Sequence, residues 1–183
     1  TPVNRLPKIE DPLSPEERIK LTVDIDEIYQ NLIDYTNEEG RKLSEIFLVK
    51  PPKKYYPDYY LLIKNPIAFD VISKRIKTNI YCSLKEFIED VHLMCSNAKI
   101  YNEEGSMVYQ DAGVLEDLAF DQYKEKGQGE ADLDFSAFDA EYCTKVPPTS
   151  SLNGATSTIN TPSSTGTTTP NLMDGTIGGS NKF

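Results

Sequence analysis

The sequence predicts an all-α protein: an antiparallel four-helix bundle with a long loop between its first and second helices and a disordered C-terminal tail. Apolar residues recur at three- and four-residue steps in four separate stretches, which is typical of amphipathic helices. No stretch alternates apolar and polar residues long enough to predict a sheet. Most of the connections are short, which favours antiparallel neighbours.

The first helix begins with a complete start signal. Ser14 is placed as the N-cap, Pro15 suits the first helical position, and Glu17 has the spacing of a capping box. Residues 37–40 should interrupt the helix, and residues 41–48 predict one or two further turns. The inward face of the first helix is predicted to consist of Leu21, Ile25, Ile28, Leu32 and Tyr35.

A long irregular loop should follow at residues 50–57, because three prolines fall within it and proline cannot donate a backbone hydrogen bond. Long ordered loops often carry function. The bundle buries its apolar faces, so polar and aromatic groups at the end next to this loop are the ones free to meet a ligand.

Three more helices complete the predicted bundle. Pro66 opens a short helix that ends near Asn79, and Ser83 opens a third that runs to about Tyr101, with Glu86 in a second capping box. Ser106 caps a fourth helix that fades near residue 126. Their predicted inward residues are Phe69, Ile72 and Ile76; then Leu84, Phe87, Ile88, Val91, Cys95 and Ala98; then Val108, Ala112, Leu115 and Leu118.

Composition excludes several classes of protein. The 183 residues fit one domain with flanks, and a net charge of −10 disfavours a dedicated DNA-binding module. The longest apolar run, residues 59–63, is far too short for a membrane span, and no signal-peptide pattern is present. We therefore expect a soluble, intracellular protein without membrane or sequence-specific nucleic-acid contacts.

No catalytic, metal or cofactor site is predicted. The cysteines at 82, 95 and 143 show no CxxC pairing and are interpreted as free thiols. His92 is the only histidine, and a lone histidine on a helix is more often a ring with satisfied hydrogen bonds than a metal ligand. A phosphate-binding glycine loop and an HExxH motif are both absent from the sequence, and Glu103 and Glu104 adjoin without a partner that would give them separate acid and base roles. An enzyme is therefore disfavoured.

The C-terminal third contains two different segments. Residues 144–183 are mostly Ser, Thr, Gly, Asn and Pro, which cannot bury enough apolar surface to offset the entropy of ordering, so we predict disorder. Residues 127–143 interleave acidic and aromatic residues without a basic one. This acidic segment could be a partner-binding peptide, although an acidic linker is the simpler interpretation.

Two residue clusters lie at the loop end of the predicted bundle: Tyr-Tyr-Pro-Asp-Tyr-Tyr at 55–60 and Asn-Ala-Lys-Ile-Tyr-Asn at 97–102. Taken singly, Asn102 could be an ordinary helix C-cap and the tyrosines could be core edge. Together they belong to a wider pattern that, in order and spacing, resembles bromodomains: Pro57, Asp58, Tyr59, Tyr60, Ile63, Pro66, Ile67, Ile72, Arg75, Ile76, Tyr81, Asp90, Asn97, Ala98, Tyr101, Asn102, Ser106 and Tyr109.

The resemblance covers residues 16–126, with residues 1–15 as an N-terminal extension. Residues 40–47 and 101–106 are most similar to bromodomains of SWI/SNF- and RSC-type chromatin-remodelling complexes, in both ATPase and polybromo-like subunits. The resemblance implies a nuclear acetyl-lysine reader that binds acetylated histone tails and works with other subunits of such a complex.

The resemblance also implies roles for particular residues. Asn102 would donate from its side-chain amide to the acetyl carbonyl, and Tyr59 would reach the same oxygen through a water molecule. An apolar slot suits the neutral acetyl-lysine head, whereas an unmodified lysine would bring an unpaired charge into it. The walls would be Val49, Tyr56, Tyr101 and Val108, with Val108 as the gatekeeper at the entrance; Asp58, Glu103 and Glu104 would form an acidic rim.

One departure from the family keeps a second function open. Many bromodomains carry a Trp-Pro-Phe shelf at the start of the long loop, whereas this chain has Lys50-Pro51-Pro52 and no tryptophan. One apolar wall would then be weaker. The alternative is a bromodomain fold that acts as a structural protein–protein adaptor, with weak acetyl-lysine binding or none.

Overall fold

The computed structural model describes residues 11–129 and 133–143. The predicted disordered tail at 144–183 lies outside the described residues, as do residues 1–10. The domain boundaries proposed from the sequence stay predictions.

Helices account for all regular secondary structure in the described ranges, so the all-α prediction is confirmed. One isolated bridge pairs Thr36 with Lys42. Four long helices, α1, α3, α4 and α5, form the bundle, and two shorter helices and a 3₁₀ helix accompany them. The elements in chain order are α1 (Pro15–Asp34), a 3₁₀ helix (Leu43–Phe47), α2 (Tyr59–Leu62), α3 (Phe69–Lys77), α4 (Leu84–Tyr101), α5 (Met107–Glu125) and α6 (Ser136–Tyr142).

The predicted helix starts are partly right. At α1 the capping box is complete, because Ser14 N donates to Glu17 Oε2 at 2.8 Å and Glu17 N donates to Ser14 Oγ at 3.3 Å. At α4 only half of the predicted box forms. Ser83 Oγ accepts from Glu86 N at 3.2 Å, but the Glu86 carboxylate reaches one residue further back and accepts from Cys82 N.

The predicted start of α3, Pro66, lies three residues before the observed start, Phe69. Pro66 does not open the helix, because Ile67 and Ala68 remain outside it and bury their side chains, and Ala68 is its extended N-cap. In the first turn, Asp70 N donates to Leu48 O at 3.0 Å. This bond ties α3 to the segment just before the long loop and satisfies one of the free N–H groups of a helix start.

The core lies around α4, which packs against α1, α3, α5 and α6. Complete burial of a Leu, Ile, Val or Phe side chain contributes about 1.5–3 kcal/mol, so these residues dominate the stability of the bundle. Leu118 and Ile76, predicted inward, are only half-buried. The predicted inward residues with no exposed surface are Ile28, Leu32, Ile72, Phe87, Ile88, Val91, Cys95, Ala112 and Leu115.

The described part of the acidic segment is not a free linker. Phe135 is buried, and its ring stacks on His92 of α4 with 4.5 Å between ring centroids. His92 Nε2 lies 2.7 Å from Asp139 Oδ1 of α6. The segment therefore packs on its own bundle, which corrects the linker interpretation for residues 133–143. Its aromatic side chains find an apolar surface beside α4 that sequence periodicity alone did not reveal.

None of the described helices combines the length and apolar character needed to cross a membrane.

Candidate functional site

A narrow cavity opens at the loop end of the bundle. The space between its lining residues, open solvent at the mouth included, is about 360 Å³. Most of its surface is apolar, as a site for a neutral amide requires. The lining comes from the 3₁₀ helix (Ile46, Phe47), the loop (Val49, Lys50, Pro51), α2 (Tyr59), the segment before α3 (Ile67, Ala68), α4 (Met94, Ala98), Asn102 and α5 (Val108).

Asn102 is the C-cap of α4 and is 8% exposed. Its backbone is extended, with φ −96° and ψ 154°, so it does not use the left-handed conformation expected of an ordinary Asn C-cap. The side-chain Nδ2 donates to Ala98 O at 2.9 Å. Its Oδ1 is buried and accepts no hydrogen bond from the described residues. The amide thus keeps a second N–H and a buried oxygen available at the cavity.

The phenol of Tyr59 is the second polar group in the lining. Tyr59 is 5% exposed, and desolvation raises its pKa, so the hydroxyl stays neutral and can donate. Its ring is held edge-on by Tyr60 and Tyr101, each at 5.2 Å between centroids. The structure therefore brings the predicted pair, Tyr59 and Asn102, to one cavity in fixed orientations.

Tyr56 and Tyr101 do not line the cavity, contrary to the sequence expectation. The ring of Tyr101 packs edge-on against the ring of Tyr59, and its hydroxyl donates to Asp58 Oδ2 at 2.7 Å. Desolvation and the hydrogen bond to Asp58 raise the pKa of Tyr101. Tyr56 is half-buried in the loop, where its backbone N donates to Pro52 O at 3.0 Å. Tyr101 therefore supports the wall formed by Tyr59.

The two valines do line the cavity, but their positions differ from those expected. Val108 is only 2% exposed and lies within the wall, whereas Val49 is 63% exposed. The solvent-facing position at the mouth is therefore that of Val49, and the expectation that Val108 stands at the entrance is corrected. Val108 lies in the first turn of α5, on the face that this helix buries.

Several residues that line the cavity were not predicted as site residues from the sequence. Met94 and Ala98 precede Asn102 by eight and four residues on α4, so the helical repeat places all three on one face and could have identified them. Phe47, which is 5% exposed, and Pro51, from the Lys50-Pro51-Pro52 stretch, also line the cavity. Tyr60 Oη fixes this part of the loop by donating to Pro51 O at 2.6 Å.

The mouth carries charges of both signs. Glu103 and Glu104 are exposed in the turn between α4 and α5, whereas Asp58 is engaged by Tyr101 and is not a free rim carboxylate. On the loop side, Lys50 lines the cavity. Lys53 and Lys54 lie over the rings of Tyr60 and Tyr55, at 5.8 and 5.5 Å from the centroids.

Comparison with known proteins agrees with this architecture. Residues 29–114 match the family model described as Bromodomain. The solved structure of the bromodomain from human BAZ1A is 27% identical, and the match covers 58% of this chain and 97% of that one with a TM-score of 0.52.

The curated relatives are much longer proteins. The transcription regulatory protein SNF2 of Saccharomyces cerevisiae is 50% identical over 125 residues, which are 67% of this chain and 7% of that protein. The chromatin structure-remodeling complex subunit rsc4 of Schizosaccharomyces pombe is 42% identical over 101 residues, which are 53% of this chain and 19% of that protein. The chain thus spans a small fraction of each relative. The fold, the cavity and these matches show that this chain belongs to the bromodomain family, and its relatives include SNF2 and subunits of chromatin-remodelling complexes.

Proposed function

We propose that this domain reads acetylated lysine in histone tails. The observation that carries the proposal is the Asn102 amide at the cavity. It is buried and fixed by its bond to Ala98 O, and its Oδ1 accepts no hydrogen bond from the described residues. A buried polar atom without a partner costs about 1–3 kcal/mol, so a ligand that completes its hydrogen bonds would be favoured.

An acetyl-lysine head has complementary groups. It is a secondary amide, with one carbonyl acceptor and one N–H donor at the end of an apolar stem. The remaining Nδ2–H of Asn102 would donate to the acetyl carbonyl, and the neutral phenol of Tyr59 would reach the same oxygen through a bridging water. Phe47, Val108 and the other apolar lining groups would enclose the methyl group and stem.

Discrimination against unmodified lysine would come from charge. None of the described lining residues is acidic, so an incoming ammonium group would lose its hydration without gaining a carboxylate partner. Lys50 adds a like charge in the wall and makes no ion pair with a described residue. Acetylation removes the ligand's charge, and with it both the cost of lost hydration and the repulsion by Lys50. Lys50, which weakens the apolar shelf, would therefore also increase the selectivity for acetylated over unmodified lysine.

Several observations favour a basic peptide within chromatin as the partner. Glu103 and Glu104 stand exposed beside Asn102, and the chain carries a net charge of −10. The relatives are named as transcription regulators and subunits of chromatin-remodelling complexes. We therefore place this domain in the nucleus, as the acetyl-lysine-binding module of a remodelling-complex subunit that contacts other subunits. The Drosophila melanogaster relative named ATP-dependent helicase brm is matched over only 5% of its length, and the activity in that name is not assigned to this domain.

A titration against an array of histone-tail peptides, each acetylated at one lysine and matched to its unacetylated form, tests the proposal. We expect at least one acetylated peptide to bind with a dissociation constant of roughly tens of micromolar to millimolar, because few direct hydrogen bonds must offset the cost of association. The unacetylated partner should bind at least about tenfold more weakly. Equal binding of both forms would instead favour the adaptor function.

A further inference from the structure

A cluster of metal-type donors lies away from the acetyl-lysine cavity, where α6 packs on α4. His92 and Ser96 stand one turn apart on α4, and Asp139 and Cys143 stand one turn apart at α6 and its C-cap. The two pairs face each other across the helix contact. His92 Nε2 lies 2.7 Å from Asp139 Oδ1 and 3.5 Å from Ser96 Oγ.

The three strong donors are close enough to share one ion. One ligand atom each from His92, Asp139 and Cys143 lies within 4.8 Å of the other two. Tetrahedral zinc, with bonds of roughly 2.0–2.3 Å, separates its ligand atoms by roughly 3.3–3.8 Å. A small rearrangement of side chains that are only partly buried would meet that spacing.

The surroundings of His92 match those of metal-binding histidines. A ligating histidine usually has its second ring nitrogen hydrogen-bonded to a carboxylate, a backbone carbonyl or water, which fixes the orientation of the ring. Here His92 Nδ1 pairs with Glu116 Oε1 at 2.7 Å, and Lys99 holds the other oxygen of that carboxylate. Phe135 stacks on the ring at 4.5 Å. The imidazole is therefore oriented with Nε2 toward Asp139 and Cys143.

We propose that His92, Asp139 and Cys143 bind one zinc-class divalent ion, which fixes the 133–143 segment to α4. A thiolate and an imidazole select zinc over calcium or magnesium, which prefer all-oxygen sites. With three protein ligands, water would take the fourth position, within reach of the Ser96 hydroxyl. Sequence spacing predicted no metal site because 51 positions separate His92 from Cys143; the fold brings them together.

Titration of the untagged, reduced full chain with cobalt(II) chloride tests this site, because cobalt(II) reports its ligands in the absorption spectrum. We expect one ion per chain and a near-ultraviolet sulfur-to-cobalt charge-transfer band, which zinc chloride should then displace. Cys143→Ser should abolish the band. Cys82→Ser, which changes a thiol outside the cluster, should leave it unchanged.

Two further variants keep the test informative if Cys143→Ser is poorly folded. Asp139→Asn keeps size and helix position but should weaken cobalt(II) binding by at least tenfold. Glu116→Gln should weaken it by ~10–100-fold, as loss of a carboxylate partner of a ligating histidine does. Circular dichroism should show each variant to be helical. No binding, or a band that survives Cys143→Ser or disappears in Cys82→Ser, would overturn the proposal and leave His92 and Asp139 as an ion pair.

Discussion

The Tyr101 hydroxyl donates to the Asp58 carboxylate at 2.7 Å and so joins the last residue of α4 to the residue that precedes α2. The ring of Tyr101 also packs edge-on against Tyr59. These contacts fix the distance between the two elements that carry Tyr59 and Asn102. Neither Tyr101 nor Asp58 lines the cavity, yet together they set its geometry.

Tyr101→Phe should therefore weaken binding without removing a cavity residue. The ring and its packing remain, but the hydrogen bond to Asp58 is lost, which should lower the free energy of unfolding by about 0.5–1.5 kcal/mol. We expect acetylated-peptide affinity, measured by calorimetry, to fall a few-fold. Tyr55→Phe is the control for loss of a tyrosine hydroxyl, because Tyr55 is 69% exposed in the loop before Asp58. Equal effects of the two variants would contradict this role for Tyr101.

Two neighbouring residues on α5 test the assignment of its inward face. Leu115 is completely buried, whereas Val114 is 40% exposed. Leu115→Ala should lower the free energy of unfolding by ~2–5 kcal/mol because it leaves a cavity in the core, and Ile88→Ala on α4 should behave alike. Val114→Ala should change it by less than about 0.5 kcal/mol. Urea denaturation measures all three, and a loss below half a kcal/mol for Leu115→Ala would mean that the face is misassigned.

Two truncated chains distinguish the contribution of the tail to stability from that of the acidic segment. A chain that ends at Cys143 should melt within about 2 °C of the full chain, since the sequence of residues 144–183 predicts no packed core. A chain that ends at residue 129 also loses Phe135, which is buried against His92. Exposing that surface should cost at least about 1.5 kcal/mol of unfolding free energy. Similar melting of the two truncated chains would show that α6 contributes no stability.

The sequence predictions were right where the interacting residues are close together in the chain, and they missed contacts between residues far apart in it. Local signals succeeded: Ser14 with Glu17 fixed the start of α1, and the three- and four-residue repeat identified the buried face that contains Ile88 and Leu115. Contacts distant in sequence were missed. Nothing near Phe135 indicates that it stacks on His92, because that contact depends on where α6 meets α4.

The cavity shows the same division. Tyr59, Asn102, Val49 and Val108 line one cavity, while their roles in acetyl-lysine binding stay predictions. Which tyrosine lines the cavity depends on how α2, α4 and the loop pack together. Tyr101 donates to Asp58 and does not line the cavity, whereas Phe47 and Met94 do. A sequence repeat cannot specify that choice.

Asn102→Ala should abolish selective binding while the bundle stays folded. The variant removes the amide that would donate to the acetyl carbonyl, which should cost ~1–3 kcal/mol and bring a binder of this strength near the limit of calorimetric detection. Tyr59→Phe should cost less, since a bridging water can partly reorient. Both are measured with the best acetylated peptide and its unacetylated form.

The Asn102 variant also loses the hydrogen bond to Ala98 O, so destabilisation must be separated from loss of the ligand contact. Gln122 offers a matched control. It is likewise 8% exposed and donates to the carbonyl four residues back, at Leu118, but it does not line the cavity. Gln122→Ala should lower the free energy of unfolding at least as much, since it also gives up a bond from Asn31, and should leave acetyl-lysine binding intact. If folded Asn102→Ala protein binds both peptide forms as the parent does, the reader function fails and the adaptor function takes its place.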